Sequence, residues 1–365
     1  LDNIENAHLK RGIATLAAPL AAIFNRCIRE KCYPAIWKIA IIKPLYKQKG
    51  SRFQPDKWRP LALTSNVLKL FELLLLDQLI PYLESMGILP ESQHGFRKRR
   101  STITALLQDT EWIKSVLDRG GAVAQLLLDF TAAFDAMDIK SVADQLLKVG
   151  IAGDFGEMLV RWLMDRKQEV HVNGEISDPT SLTSGCAQGS CLGPICFVIF
   201  IAGLANVLRE VRTTFYADDS KIMVELDGQQ AVDNINRNAD KAYQWATENS
   251  MTFSAGKSAF IQYGQTDTQC QINLGDEPIP KENCITDLGV VFDEKLTFRE
   301  HLRKIKKKAA ISRHMFKDTF RSRDLEVMKA YHRTHYKPII TYASQVWMKY
   351  DKVTFDMLNA LDRHY

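Results

Sequence analysis

Apolar positions along the chain recur with either helical or strand spacing, and the switches between the two mark the elements. Leu16, Leu20, Ile23, Phe24 and Ile28 share one helical face, with Arg26, Arg29 and Lys31 beside it. Residues 37–46 alternate and are β-branched, which predicts a strand stopped near Pro44. A long helix is expected from about Asn66 to Met86, built on Val67, Leu68, Phe71, Leu75 and Leu79. Ser101 is a suitable N-cap for the next helix, which turns Ile103, Leu106, Leu107, Ile113 and Leu117 to one side. After Gly120-Gly121, residues 122–128 are almost continuously apolar, as in a strand covered on both faces or a central antiparallel one.

Helices are expected over Ile139–Val149, closed by Gly150, and over Phe155–Arg166. Residues 169–176 read as a hairpin around Asn173-Gly174, the clearest turn signal in the chain. The Gly-rich stretch 184–194 leads into an apolar helix whose start is fixed by Pro194 and which runs to about Arg209. Two β-type runs, 211–216 and 222–226, flank Ala217-Asp218-Asp219. A polar amphipathic helix spans Val232–Ser250, a turn and a strand cover 253–263, and Ile285–Phe292 reads as one strand. From Phe298 the spacing is helical again, with Leu302, Ile305, Ala309 and Phe316 on one face.

Composition narrows the class. Lys and Arg number 48 against 43 Asp and Glu, a formal charge of +5 that matters through its clustering. Seven cysteines, an odd number with no paired Cys-x-x-Cys, point to reduced intracellular thiols rather than a disulfide frame or zinc site. No signal peptide opens the sequence. The longest apolar run, Cys191 to Ala205, falls short of the roughly 20 residues that span a bilayer, so a buried helix is expected and no membrane. With an abrupt start at Leu1 and a helical pattern at Tyr365, a segment of a longer protein is expected.

The chemistry lies in the charges. Asp218 and Asp219 adjoin in a hairpin tip, where stability alone would favour Asn-Gly or Asp-Gly. A solvated acidic loop is the plain reading; a cation shared with a third carboxylate is the other. Asp129 supplies that third group at the end of an apolar strand, where a lone carboxylate is costly. If the two strands are neighbours, hard oxygen ligands converge at one sheet edge and suit magnesium, which completes its shell with water and phosphate oxygens. Two such ions about 3.5–4 Å apart activate a 3′-hydroxyl and stabilise a pyrophosphate leaving group. Cations cluster to match: Lys47, Lys49, Arg52, Lys57 and Arg59 in a loop, Arg97-Lys98-Arg99-Arg100 before a helix, and Arg303, Lys304 and Lys307 on the helix after Phe298. Gly256-Lys257-Ser258 is no P-loop, because Met251 stands where its first Gly should be. His94 and His171 lack ligand spacing and read as structural.

Six stretches in order make a resemblance. Trp58-Arg59-Pro60-Leu61-Ala62-Leu63, Gly95-Phe96-Arg97-Lys98-Arg99-Arg100-Ser101-Thr102, Asp129-Phe130-Thr131-Ala132-Ala133-Phe134-Asp135, Gln188-Gly189-Ser190-Cys191-Leu192-Gly193-Pro194, Phe215-Tyr216-Ala217-Asp218-Asp219 and Asp287-Leu288-Gly289-Val290 resemble the reverse transcriptase domain of non-LTR (LINE-type) retrotransposons. The resemblance covers about 37–347. It implies an α+β right-hand polymerase fold: fingers, a palm of antiparallel sheet backed by helices, and a helical thumb. The boundaries it implies are an extension at 1–35, fingers at 36–120, palm at 121–292 with an insertion at about 139–183, and a truncated thumb at 293–365.

The same resemblance assigns roles. Asp129, Asp218 and Asp219 would hold two Mg2+ ions, with Mn2+ as a substitute, and Lys257 would give a proton to pyrophosphate. Phe134 falls at the position that crowds a ribose 2′-hydroxyl; Arg59 would meet the triphosphate, and Gln188, with Phe130 and Gly189, the incoming nucleotide. Arg97 and Lys98 would contact the template, Leu288-Gly289 the primer, and Arg303, Lys304 and Lys307 the duplex. Implied partners are an RNA template, a DNA primer or target and dNTPs, in cytoplasm and nucleus. An endonuclease is expected elsewhere in the parent protein. Ala187, Ala132 and Ile139 depart from the usual Pro, Lys and His of the family, and none removes a metal ligand. The alternatives are a degenerate or co-opted relative that binds nucleic acid without polymerising, a viral RNA replicase, and a group II intron reverse transcriptase.

Overall fold

The computed structural model describes residues 4–48, 50–186, 189–320, 324–349 and 351–363. Two compact units share the chain: Leu1–Arg97, Phe130–Arg209 and Lys241–Phe253 form the first, and Lys98–Asp129, Glu210–Asp240 and Ser254–Tyr365 the second. The helices are α1 (Asn6–Arg11), α2 (Ile13–Glu30), α3 (Asn66–Ser85), α4 (Thr102–Asp118), α5 (Ala133–Ala136), α6 (Ile139–Lys148), α7 (Gly153–Leu163), α8 (Gly193–Val207), α9 (Gln229–Glu248) and α10 (Arg299–Thr319), with shorter ones beyond. The strands are β1 (Ile39–Tyr46), β2 (Trp58–Leu63), β3 (Val123–Leu128), β4 (Lys167–Val172), β5 (Glu175–Ile176), β6 (Thr180–Ser181) and β7 (Arg212–Tyr216). They continue with β8 (Asp219–Glu225), β9 (Ala259–Tyr263), β10 (Asn273–Leu274), β11 (Glu277–Pro278), β12 (Cys284–Asp287) and β13 (Val290–Asp293).

In the first unit the sheet order is β2-β1-β4-β5, with β6 also on β4. Phe24 of α2 stacks on Phe71 of α3 at 4.9 Å, and Trp37 packs beside both. The apolar helix α8 is buried on nearly every side, which is why its sequence shows no amphipathic stripe. Among the described residues no helix is long and apolar enough to cross a membrane. The Asn173-Gly174 hairpin forms as expected, with φ of 52° and 91° at its two turn residues. Two expectations fail here. The strand does not stop at Pro44 but runs to Tyr46, because Pro44 faces Pro60 and lies beyond the rungs that β4 occupies, where no donor is needed. Arg59, expected in a loop, lies in β2; Lys49 of that loop falls outside the described residues.

In the second unit four antiparallel strands run β7-β8-β3-β9, so β3 is central, as its apolar run predicts. Its core joins Ile113 and Val116 of α4 to Val123, Met223, Ile261 and Tyr263 of the sheet and to Leu302 and Ile305 of α10. The stretch 285–292, expected as one strand, is the hairpin β12-β13, turned by Leu288 and Gly289 at φ of 41° and 89°. A Leu in the left-handed region is uncommon, and no Asn-Gly signal betrayed this turn. Asp293 gathers the backbone N–H groups of Thr297 and Phe298 at 2.9 and 2.6 Å and so fixes the entry to α10. His301 accepts from the Val291 N–H at 3.2 Å through Nδ1. Burial, then Lys304 and Lys308, push its pKa down to about 4, so it stays neutral and available as that acceptor.

The start of α3 is held by one hydroxyl. Ser65 Oγ accepts from the N–H groups of Val67 and Leu68 at 3.1 and 3.2 Å. Ser65→Ala should therefore lower unfolding free energy by about 1 kcal/mol in denaturant titration with no change in slope.

Candidate active site

β7 and β8 pair from Arg212 opposite Met223 to Tyr216 opposite Asp219, leaving Ala217 and Asp218 as a two-residue turn. Ala217 sits at φ 57°, where a Cβ costs roughly 1–2 kcal/mol. Asp218 occupies the turn and Asp219 begins β8. Across β8, Leu128 of β3 stands opposite Ser220, so the next residue, Asp129, comes level with Asp219. The three acidic residues thus lie at one end of one sheet, as the sequence expectation requires.

A turn following the α9 segment grips Asp129. The Asp129 N–H donates to Ser258 Oγ at 3.2 Å, and its carbonyl accepts from the Ser254 N–H at 2.8 Å. Lys257 lies between those two serines and reaches Asp129 Oδ1 with Nζ at 3.3 Å. Both side chains are well exposed, so this pair adds little to stability, yet it places a cation beside Asp129.

The carboxylates strain against one another. Burial raises the Asp218 pKa, and the charge on Asp129 raises it further. The Asp219 pKa is pushed up to about 6, by surrounding protein first and then by Asp218, Asp287 and Asp129. A hard-oxygen donor set with excess negative charge is the chemistry that fits a divalent cation. Among the described residues, no three acidic, His or Cys side chains converge closely enough to hold an ion as placed. Asp129 is turned to Lys257 instead, so an ion would enter by displacing that ammonium.

The other nominated residues of the second unit sit as follows. Lys98 is exposed just before α4. The Leu288 carbonyl accepts from the Tyr342 hydroxyl at 2.7 Å, and the Lys304 ammonium reaches the Gly289 carbonyl at 3.4 Å. Arg303 pairs with Glu300, one turn back, and Lys307 is exposed. Beneath them Lys221 is 1% exposed and forms ion pairs to Asp109 at 2.6 Å and Asp287 at 2.8 Å. Sequence reasoning missed this cluster; its signals were a Lys inside a strand of apolar residues and an Asp on the Leu106–Ile113 face of α4.

In the first unit Arg59 is exposed on β2. Gly189 has φ 133°, and a Cβ there would lie 2.3 Å from the Ala62 carbonyl, so backbone packs directly on β2. Phe134 is half-buried, its ring 4.6 Å from that of Phe197. Phe130 is buried and stacks on Phe253 at 4.1 Å, so its ring belongs to the core. The Arg97 guanidinium binds Glu84 and donates to the Pro90 carbonyl at 2.6 Å, which commits it to the loop it closes. Gln188 lies outside the described residues. The loop after it rests on Glu72, another residue the sequence reading missed, which accepts from Trp162 Nε1, Ser190 Oγ and the Cys191 N–H at 3.1, 3.2 and 2.6 Å.

Comparison with known proteins shows the family and the fold. The family described as reverse transcriptase (RNA-dependent DNA polymerase) matches residues 46–292. Two Drosophila melanogaster proteins, the probable RNA-directed DNA polymerases from transposon X-element and from transposon BS, are 26% and 25% identical over 95% and 99% of this chain. The chain spans 39% and 41% of their lengths. The RNA-directed DNA polymerase from mobile element jockey of Drosophila funebris is 25% identical over 78% of this chain and 32% of its own. Among solved structures, apo telomerase from Candida tropicalis, truncated from the C-terminal domain, aligns with a TM-score of 0.52 at 9% identity. That alignment covers 76% of this chain and 58% of that one. The likeness shows the fold: α+β, of the right-hand polymerase type.

The raised pKa values at the hairpin have a testable sign. The folded protein holds the Asp219 proton from the ordinary 3.8 up to about 6, so metal-free stability should fall as pH rises through that window. Asp219→Asn should remove that part of the slope and raise Tm at neutral pH by roughly 1–2 °C. A melting temperature unchanged or lowered by the substitution would contradict the electrostatic account.

Proposed function

Because this chain belongs to the reverse transcriptase (RNA-dependent DNA polymerase) family, with residues 46–292 matching it, we propose that it extends a DNA 3′ end along an RNA template, as the polymerase segment of a non-LTR retrotransposon. The observation that carries the proposal is that Asp129, Asp218 and Asp219 share one end of the β3-β8 ladder. The substrates are dNTPs, and the metal is magnesium, with manganese able to replace it. Asp129, Asp218 and Asp219 would hold two ions, which when bound supply activation of the primer 3′-hydroxyl and charge neutralisation on the pyrophosphate.

The chain's own residues then have these tasks. Lys257, exchanged from Asp129 to the leaving group, gives a proton to pyrophosphate. Phe134, its ring backed by Phe197, closes the space beside C2′ of the sugar and favours deoxynucleotides. Arg59 meets the triphosphate. Gln188 touches the base pair together with Gly189, whose backbone packs on Ala62, and Phe130 supports from the core. Lys98, on the loop that Arg97 closes, contacts template phosphates, and Arg303, Lys304 and Lys307 contact the duplex. Leu288-Gly289 holds the primer end. In this reading residues 36–120 are fingers, 121–292 palm and 293–365 thumb, after the extension at 1–35. Cleavage of a target falls to an endonuclease outside these residues, and the places of action are cytoplasm and nucleus.

On poly(rA)/oligo(dT) with magnesium the protein should incorporate dTTP, and Asp218→Ala should reduce this to background. Tight binding to the hybrid without extension by the unaltered chain would favour the non-polymerising relative instead. Phe134→Ala should raise ribonucleotide incorporation by roughly tenfold or more; unchanged sugar selectivity would remove the role given to that ring.

A further inference from the structure

Lys221 is a buried charge that the polymerase reading leaves without a task. On β8 it lies two residues from Asp219 and therefore on the same face of the strand. Its neighbours across the sheet are Leu127 of β3 and Thr214 of β7. The ammonium is pinned between Asp109 of α4, at 2.6 Å, and Asp287, at 2.8 Å. Thr214 Oγ1 also donates to Asp109, at 2.5 Å, so α4 is tied to both strands of the acidic hairpin. Asp287 is the last residue before the Leu288-Gly289 turn and pairs with Val290 across it.

One ammonium against two carboxylates is an expensive way to fill a core. An apolar cluster of equal volume would serve stability as well or better. What the ion pairs add is direction: a charged pair at 2.8 Å fixes Asp287, and with it the turn, relative to the strand that begins at Asp219. The far side of the turn is held independently, by Tyr342 on the Leu288 carbonyl and Lys304 on the Gly289 carbonyl.

We infer that Lys221 is a positioning residue: through Asp287 it sets the spacing between the Leu288-Gly289 turn and the Asp218-Asp219 hairpin, and so seats the primer 3′ end for extension. The inference rests on the reverse transcriptase reading and on the primer contact assigned to that turn. Lys221 touches neither substrate nor metal in this scheme, and Asp109 serves only to anchor it. Misplacing a reacting group by about 1 Å can cost on the order of a hundredfold in rate.

Two charge-matched substitutions separate positioning from stability. Asp287→Ala and Asp109→Ala each leave one ammonium facing one carboxylate, but only the first cuts the link to the turn. With the 365-residue chain on poly(rA)/oligo(dT), Asp287→Ala should lower kcat by roughly tenfold to a hundredfold and shorten products per binding event. The KM for dTTP should stay within about twofold, since the nucleotide contacts are untouched. Asp109→Ala should stay within about threefold of the unaltered chain in kcat, even where its Tm falls as far. Lys221→Met should follow Asp287→Ala; if it fails to fold, the matched pair still decides. Equal losses in the two aspartate variants, or losses that track Tm, would overturn the inference while leaving the polymerase reading intact. Absence of extension by the unaltered chain would overturn that reading first.

Discussion

Like charge concentrated at one end of an apolar sheet is the constraint on which the second unit turns. Asp129, Asp218 and Asp219 are brought there by backbone pairing, not by mutual attraction, and their own fields oppose the arrangement. Everything around them compensates. Two serines clamp the Asp129 backbone, Lys257 approaches its carboxylate, and Lys221 balances Asp287 and Asp109 below. The hairpin even accepts an alanine in a left-handed conformation at its tip. A fold selected for stability alone would discard these features, so the strain itself marks the site.

Much of this was legible in the sequence because the signals were periodic. The continuous run 122–128 announced a central strand, and Ser101 and Asn173-Gly174 announced a cap and a turn, each through a local rule that tertiary packing did not override. The acidic hairpin was legible for the opposite reason: it broke the rules of stable turns. What stayed hidden were contacts between positions far apart in the chain. Asp109 and Lys221 each look like an isolated misfit in a helix face and a strand, and only the three-dimensional pairing makes them partners. Glu72 is similar, a carboxylate amid leucines, two of whose donors arrive from a loop more than a hundred residues later.

The errors were also physical. Pro44 reads as a stop because proline lacks a donor, but a rung whose partner is also a proline loses nothing by it. The Leu288-Gly289 turn escaped because leucine rarely adopts positive φ, and the flanking apolar residues continue the strand pattern on both sides. The guanidinium of Arg97, one of four cations in a row, is held by Glu84 and the Pro90 carbonyl, partners that the basic run does not reveal. In each case the local preference was sound and a neighbour across space outweighed it.

Gly189 carries a different kind of information. A single methyl group there would meet the Ala62 carbonyl at 2.3 Å, so the position tolerates no side chain while that loop rests on β2. The carboxylates at the end of the β3-β8 ladder are thus not alone in being intolerant of change. This glycine is as exacting: the chain could keep every carboxylate and still lose the seat of that loop on β2 to one added carbon.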